Sequence, residues 1–185
     1  MLKASFRKWI TDGEQLQRLK LLGTVPLFAG LTRRQLGKLN VKLFEKHYRA
    51  GEAIFREGDP GNALFIVFEG KVAITHGVDG VEKPLATLAP GAYFGELALI
   101  DDQPRFATAR ADEDSVLLIL YKSHFDQLSE GNKALAIHVM GNLLRALAGY
   151  VRVVQARGSI RPASPRPAAP AAVEQSAMPA ERGRR

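Results

Sequence analysis

The residues of this chain best suited to bind a ligand lie in the stretch FGELALIDDQPRFATA, residues 94–109. Gly95 permits an unusual backbone turn, and residues 96–99 can then form one short helical turn whose free N–H groups attract an anion. Arg105 follows, and its guanidinium can pair with two oxygens of a phosphate. Glu96 would repel a phosphate, so its carboxylate is suited to accept hydrogen bonds from hydroxyls, as on a ribose. An ordinary surface salt bridge between Glu96 and Arg105 is the other interpretation, and the spacing alone leaves both open.

The elements that must position this loop are short strands between Glu45 and Tyr121. Apolar, β-favouring segments alternate there with turns rich in glycine and aspartate, which is typical of a sandwich or barrel. The dipeptide Asp79-Gly80 predicts a hairpin turn. The predicted strand segments are AIF at 53–55, ALFIVF at 63–68, KVAITH at 71–76, PLATL at 84–88 and SVLLILY at 115–121.

Helical patterns flank the strands on both sides. Thr32 is placed to cap a short helix after a turn that begins at Pro26. After Tyr121 a short helix precedes a longer one, whose apolar residues cover more than one face and therefore predict two packing partners. Gly158 is expected to end that helix.

We therefore expect three parts. Residues 1–22 form an N-terminal helical extension, and residues 23–157 form one domain, with a barrel over about 45–121 and C-terminal helices over about 123–157. Residues 158–185, rich in Pro, Ala and Arg, are expected to be a disordered tail.

The composition argues against several classes of protein. The absence of cysteine excludes disulfides, thiolate catalysis and cysteine-ligated metals. Each end carries five Lys/Arg against two Asp/Glu, so the ends hold +6 of the net +7 and the central domain is nearly neutral, unlike a nucleic-acid-binding face. No apolar run is expected to span a membrane, and the N-terminus has no secretory signal, so a soluble cytoplasmic protein is expected.

Residues 94–109 resemble the phosphate-binding cassette of the cyclic-nucleotide-binding domain family, whose pattern is FGELAL, a short gap and PRxAT. The resemblance continues through GEAIFREGDPGNALFIVFEGKVAI and VPLFAGLTRRQLGKL, and covers about residues 24–155. That family includes regulatory subunits of cAMP-dependent kinase, cyclic-nucleotide-gated channels and the catabolite activator protein. It implies a mainly β fold with flanking α-helices: an eight-stranded jelly-roll barrel with N-terminal helices and C-terminal hinge and lid helices.

The resemblance also implies roles for individual residues. Glu96 would accept a hydrogen bond from the ribose 2′-hydroxyl, and Arg105 would neutralise the cyclic phosphate. Backbone amides would surround the sugar-phosphate at Gly95, Leu97, Ala98 and either Phe106 or Ala107.

Phe106 departs from the family pattern, which commonly has Ala, Ser or Thr after the arginine. A hydroxyl there favours cGMP, and a phenyl ring cannot supply it, so cAMP is the expected ligand and cGMP a possible one. The ring could stack on the base, or it could fill the pocket and exclude a ligand.

No other motif predicts chemistry. The four histidines, His47, His76, His124 and His138, have no metal-ligand spacing to one another, and Asp101-Asp102 is predicted to be a solvated loop. We therefore expect no enzyme, no catalytic residues and no bound metal.

The expected function is that of a stand-alone cyclic-nucleotide sensor without a DNA-binding or channel domain. Its output would pass to an effector protein, or to a second copy, through the long C-terminal helix. The alternative is a ligand-free interaction or scaffold module whose pocket the protein itself occupies.

Overall fold

Eight strands form the centre of the fold, and helices precede and follow them. The structure, a computed structural model, describes residues 2–78 and 81–156, with side chains from residue 13 onward. The helices are α1 (Leu2–Thr24), α2 (Arg33–Asn40), α3 (Lys122–Gly131) and α4 (Lys133–Ala156), with 3₁₀ helices at Pro26–Phe28 and Glu96–Leu99. The strands are β1 (Phe44–Tyr48), β2 (Ala53–Phe55), β3 (Ala63–Glu69), β4 (Val72–Val78), β5 (Val81–Leu88), β6 (Tyr93–Phe94), β7 (Thr108–Ala111) and β8 (Ser115–Tyr121).

The strands form two antiparallel sheets of four. One has the order β1-β8-β3-β6 and the other the order β2-β7-β4-β5. Two sheets of this kind, flanked by helices, confirm the predicted eight-stranded jelly roll. Val78 pairs with Val81, as the predicted hairpin requires. The turn residues of this hairpin, Asp79 and Gly80, lie outside the described residues.

Strands β3 and β8 bury both of their faces, which explains why their sequences are continuously apolar rather than alternating. Phe65 and Val67 of β3 pack between the sheets with Leu117 of β8. The alternate residues of β3, Leu64 and Ile66, point to the other side of the sheet and pack with the helices. The two cores therefore share these two strands.

The helical core unites segments that are far apart in sequence. Leu22 and Leu27 from the N-terminal part pack in one cluster with Phe125 of α3 and Leu135 of α4. Asn142 of α4 adds polar contacts to the Pro26–Phe28 turn, because its side-chain amide donates to the carbonyls of Leu27 (3.0 Å) and Ala29 (2.8 Å).

Local signals in the sequence predicted some elements and missed others. Thr32 caps α2 as predicted, and Gln35 completes a reciprocal capping box with it. Strand β1 was missed because its sequence, FEKHY, is polar and almost wholly exposed. The two-residue strand β6 ends directly before Gly95, where a strand was predicted.

Helix α4 is long and apolar enough to cross a membrane by length and composition, contrary to the expectation that no segment would qualify. A core helix meets the same two criteria. Helix α4 buries Leu135, Val139 and Leu143 in the helical core, while only 17% of its apolar window is buried. Contacts between Cα atoms divide the chain into units 1–149 and 150–185, and the described part of the second unit is the end of α4. Gly158 and the predicted tail lie outside the described residues.

Candidate ligand-binding site

The loop that holds the predicted site residues connects β6 to β7. It starts at Gly95, whose φ of 71° places it in the left-handed region, and continues into the 3₁₀ helix Glu96–Leu99. The end of the loop is fixed by the turn that follows β2. There the Arg105 amide donates to the Asp59 carbonyl (2.8 Å), and the Gly58 amide donates to the Arg105 carbonyl (2.9 Å).

The guanidinium of Arg105 is enclosed by protein, and the residue is only 8% exposed. Nη2 donates to the Ala63 carbonyl at 2.8 Å, and Nη1 donates to the Gly95 carbonyl at 3.1 Å. The rings of Phe55 and Phe65 lie 4.2 Å and 5.5 Å from the guanidinium carbon, within cation–π range. We call these four residues around the guanidinium the arginine cage.

The cage binds the arginine without a carboxylate. Its hydrogen-bond acceptors are neutral carbonyls, and the buried Nε has no hydrogen-bond partner. Burial lowers the pKa of Arg105, while the charges of Asp59 and Glu96 act in the opposite direction. An arginine stays charged in a protein nevertheless. The cage therefore presents a desolvated positive charge that has spare donors for an anion.

Glu96 is the second charged group of the site. Its partial burial raises the pKa of its carboxyl, opposed by a backbone hydrogen bond and by the charge of Arg105. Among the described residues, no ion pair joins Glu96 to Arg105. The structure thus brings both predicted residues to one loop without the surface salt bridge that was the other interpretation.

The remaining predicted residues differ in exposure. Leu97 is partly exposed, whereas Ala98 and Ala107 are buried. The Ala98 amide already donates to the Gly95 carbonyl at 3.3 Å, within the 3₁₀ turn. The side chain of Phe106 is 67% exposed and stacks on His76. A ring so exposed does not fill an enclosed pocket.

Sequence reasoning missed the residues that shape the site around Arg105. Phe55 and Phe65 were assigned to predicted strands without a role in the site. They lie beside the guanidinium because each faces the core between the two sheets. Gly61 was assigned to an ordinary turn, although a Cβ there would come within 2.8 Å of the Gln103 carbonyl oxygen. At Asp101-Asp102 the exposed Asp102 also forms a surface ion pair with Lys122 at 2.6 Å, within the solvated loop that was predicted.

The model of the cyclic nucleotide-binding domain family matches residues 45–132 of this chain. A cyclic nucleotide-binding-like protein from Brucella abortus has a solved structure that is 32% identical, with a TM-score of 0.55, and the match covers 61% of this chain and 97% of that one. The chain belongs to the cyclic nucleotide-binding domain family. Members of this family are ligand-binding regulatory domains rather than catalytic ones.

Two further relatives carry cAMP in their names. The cAMP-dependent protein kinase regulatory subunit of Emericella nidulans is 35% identical over 130 residues, or 68% of this chain and 31% of that protein. The regulatory domain of Toxoplasma gondii PKA, solved with cAMP, is 32% identical with a TM-score of 0.60 and covers 63% of this chain and 45% of that one. The chain spans 31% to 47% of the length of the first curated relatives it matches.

Gly95 is required by both its conformation and its surroundings, which generates a prediction for Gly95→Ala. A Cβ at this position would lie 2.5 Å from Nη1 of Arg105. The left-handed backbone alone costs an alanine about 1–2 kcal/mol, and displacement of the buried guanidinium adds to that loss. Gly51→Ala is the control, because Gly51 has a φ of 81° but nothing within 4 Å of the added Cβ. Urea unfolding is expected to show the larger loss for Gly95→Ala, and equal losses would contradict the proposed clash.

The burial of Glu96 predicts a stability effect that depends on pH. Because its pKa is raised in the folded state, the folded protein holds this proton more tightly than the unfolded chain, and the stability contributed falls as pH rises above the ordinary value of 4.5. Glu96→Gln is therefore expected to increase the free energy of unfolding at pH 7, with the gain shrinking toward pH 4. Glu130→Gln, at an exposed site, should show no such trend in urea unfolding. A destabilised Glu96→Gln at pH 7 would contradict the account.

Proposed function

We propose that this chain is a sensor domain that binds a cyclic nucleoside monophosphate, with cAMP as its ligand. The observation that supports this most strongly is the buried guanidinium of Arg105, which is held by carbonyls and aromatic rings while Nη1 and Nη2 each donate only one of their two N–H groups. A cation in such surroundings is stabilised by an anion that brings several acceptor oxygens, and a phosphate does so. Relatives named for cAMP and relatives named for cGMP both agree with a cyclic nucleotide as the ligand, and the choice of cAMP rests on Phe106.

In the proposed complex Arg105 binds the cyclic phosphate, and Glu96 accepts the hydrogen bond of the ribose 2′-hydroxyl. The amides of Gly95, Leu97 and Phe106 or Ala107 are proposed to donate to the sugar-phosphate. A carboxylate near a phosphate is otherwise unfavourable, so its place in this loop is best explained by a hydroxyl donor on the same ligand.

The preference for cAMP rests on Phe106. Without a hydroxyl after the arginine, the site lacks the donor that favours guanine in the family, so cGMP should bind equally or more weakly. The alternative, a scaffold module with an occupied pocket, required Phe106 or the lid to fill the site. Phe106 is 67% exposed, which argues against a site that is filled by this residue.

The signal is proposed to leave through Leu99, the last residue of the 3₁₀ helix. Leu99 is 4% exposed and packs in the same apolar cluster as Phe125 of α3 and Leu135 of α4. A ligand that forms hydrogen bonds with Glu96 and the Leu97 amide shifts this short helix as a unit. The residues packed around Leu99 then have to move, because the cluster is close-packed. The ligand then moves α4 because its affinity for the protein differs between the two positions of this helix.

The receiver of the signal is proposed to be a second copy of this chain, joined through α4. Apolar residues recur along this helix at alternating steps of three and four, the spacing of a coiled-coil seam. Three of them, Ile137, Leu144 and Val151, are at least half exposed. The positions directly beside this seam carry no charge, so identical helices do not repel each other along it, and Arg145 and Arg152 lie one step farther round the helix. The uncharged positions are Gly141, Leu143, Ala148 and Tyr150. The full set is Ile137, Met140, Leu144, Leu147, Val151 and Val154. Met140 and Leu147 are partly buried and also pack against the helical core of their own chain, so the exposed residues would carry the contact.

An effector protein of another kind on the same face is the second possibility. The proposed location of the protein is the cytoplasm.

The first prediction from this function concerns Arg105 and Glu96. Arg105→Ala is expected to weaken cAMP binding at least tenfold to a hundredfold, because it removes charge-assisted hydrogen bonds. Glu96→Ala is expected to weaken cAMP but to leave 2′-deoxy-cAMP nearly unaffected. Equilibrium dialysis with radiolabelled nucleotide measures both, and circular dichroism checks the fold.

Arg110→Ala is the matched control, since Arg110 also donates to a backbone carbonyl, that of Gly51 at 2.7 Å, but lies outside the loop. Equal binding by Arg105→Ala and the wild type would contradict the phosphate assignment. Equal losses for the two nucleotides in Glu96→Ala would show that Glu96 does not read the 2′-hydroxyl.

The second prediction is that cAMP changes hydrogen exchange over α4. Amides of residues 133–156 are expected to change their protection on binding, and Leu99→Ala is expected to reduce that change while nucleotide still binds. Light scattering on the same samples reports the oligomeric state. Binding with unchanged protection over α4, together with an unchanged oligomeric state, would contradict movement of the helix as the output.

A further inference from the structure

Phe106 lies against His76 in a stacked pair at the edge of the site. The two ring centroids are 4.5 Å apart, and the ring planes differ by 14°. One face of the phenyl ring is covered by the imidazole, and the side chain is nevertheless 67% exposed. An exposed phenylalanine is thereby held in one orientation, with surface left for another flat ring.

His76 is itself fixed by hydrogen bonds that also reach Phe106. Its Nδ1 lies 3.0 Å from the carbonyl oxygen of Phe106 and 3.1 Å from Oε2 of Glu57. Both are acceptors, so Nδ1 carries the proton and donates. Glu57 is held in turn, because its Oε2 accepts from the Gly77 amide (2.8 Å) and its own amide donates to Oγ1 of Thr108 (3.0 Å).

The pair lies on the side of the sheet that faces the arginine cage. Alternate residues of a strand share a face, so His76 is on the same face of β4 as Val72 and Ile74. Val72 and Ile74 belong to the core between the sheets, which also contains the cage ring Phe65. Phe106 directly follows Arg105, with Cα atoms about 3.8 Å apart. The pair is therefore close enough to Arg105 for the base of a nucleotide bound there to reach it.

Building on the proposed function, we propose that Phe106, positioned by His76, is the platform on which the base of the bound nucleotide stacks. Stacking uses the flat face of a base rather than its hydrogen-bonding edge. The platform therefore selects purines over the smaller pyrimidines and separates adenine from guanine only weakly. Phe106 is the residue that contacts the ligand, and His76 is a positioning residue.

The test measures four ligands against the full chain: cAMP, cGMP, cCMP and a base-free methyl riboside 3′,5′-cyclic phosphate. Phe106→Ala is expected to weaken cAMP and cGMP roughly tenfold to a hundredfold, to weaken cCMP less, and to leave the base-free ligand unchanged. Phe106→Trp should restore purine binding. Phe44→Ala is the matched control, because Phe44 is also exposed and stacks on a histidine, His124, at 5.2 Å.

The role of His76 is read from the fluorescence of 1,N6-ethenoadenosine 3′,5′-cyclic monophosphate, which stacking quenches. His76→Ala should reduce the quenching and weaken purine binding by less than Phe106→Ala does, and His76→Phe should restore both by replacing the stacked ring. Unchanged quenching in His76→Ala would overturn its positioning role.

Failure of this inference differs from failure of the proposed function. If the wild type binds cAMP and Phe106→Ala binds it equally well or more tightly, the platform is wrong and the sensor function stands. Equal losses for cAMP and the base-free ligand would also overturn the platform, since the ring would then act on the whole loop. If the wild type binds none of the four, the sensor function and the platform fail together.

Discussion

The desolvated guanidinium of Arg105 is the interaction on which the arrangement of this site depends. Removing a cation from water is costly unless other groups replace its hydration. In this protein two carbonyls and two aromatic rings replace part of it, and no carboxylate among the described residues forms an ion pair with the guanidinium. Each Nη donates one hydrogen bond to a carbonyl and keeps a second N–H, and this remaining capacity is the basis on which we propose a phosphate as the partner.

The same requirement explains the small residues around the arginine. Gly95 has no Cβ because Nη1 of Arg105 occupies that space, and Gly61 has none because the Gln103 carbonyl approaches it. These glycines bring two loops from different parts of the chain into contact around one side chain. Strand β3 then links this region to the helices, since one of its faces lines the core between the sheets and the other packs with α3 and α4. Close-packed side chains thus connect the loop with the helices, which is the route we propose for the signal.

Much of this could be predicted from the sequence, and the limits have physical causes. The strands with strong apolar runs and the cap at Thr32 carry local signals, and the resemblance over residues 94–109 identified Glu96 and Arg105 before any contact was known. Strand β1 carries no such signal, because it is polar and held by pairing with β8, a long-range contact. The stacking of His76 on Phe106 joins residues thirty apart in sequence. It could not be inferred because a histidine in a strand has no pattern that reveals its partner.

The measurement that tests the central claim most directly is the nuclear magnetic resonance signal of the Arg105 Nε–H group during a cAMP titration. The signal is assigned by its absence from the spectrum of Arg105→Lys. The account predicts that cAMP shifts this signal saturably, because a phosphate bound at the guanidinium changes the charge next to Nε–H. A signal that stays unchanged up to millimolar cAMP would contradict the claim that Arg105 holds the phosphate of a cyclic nucleotide.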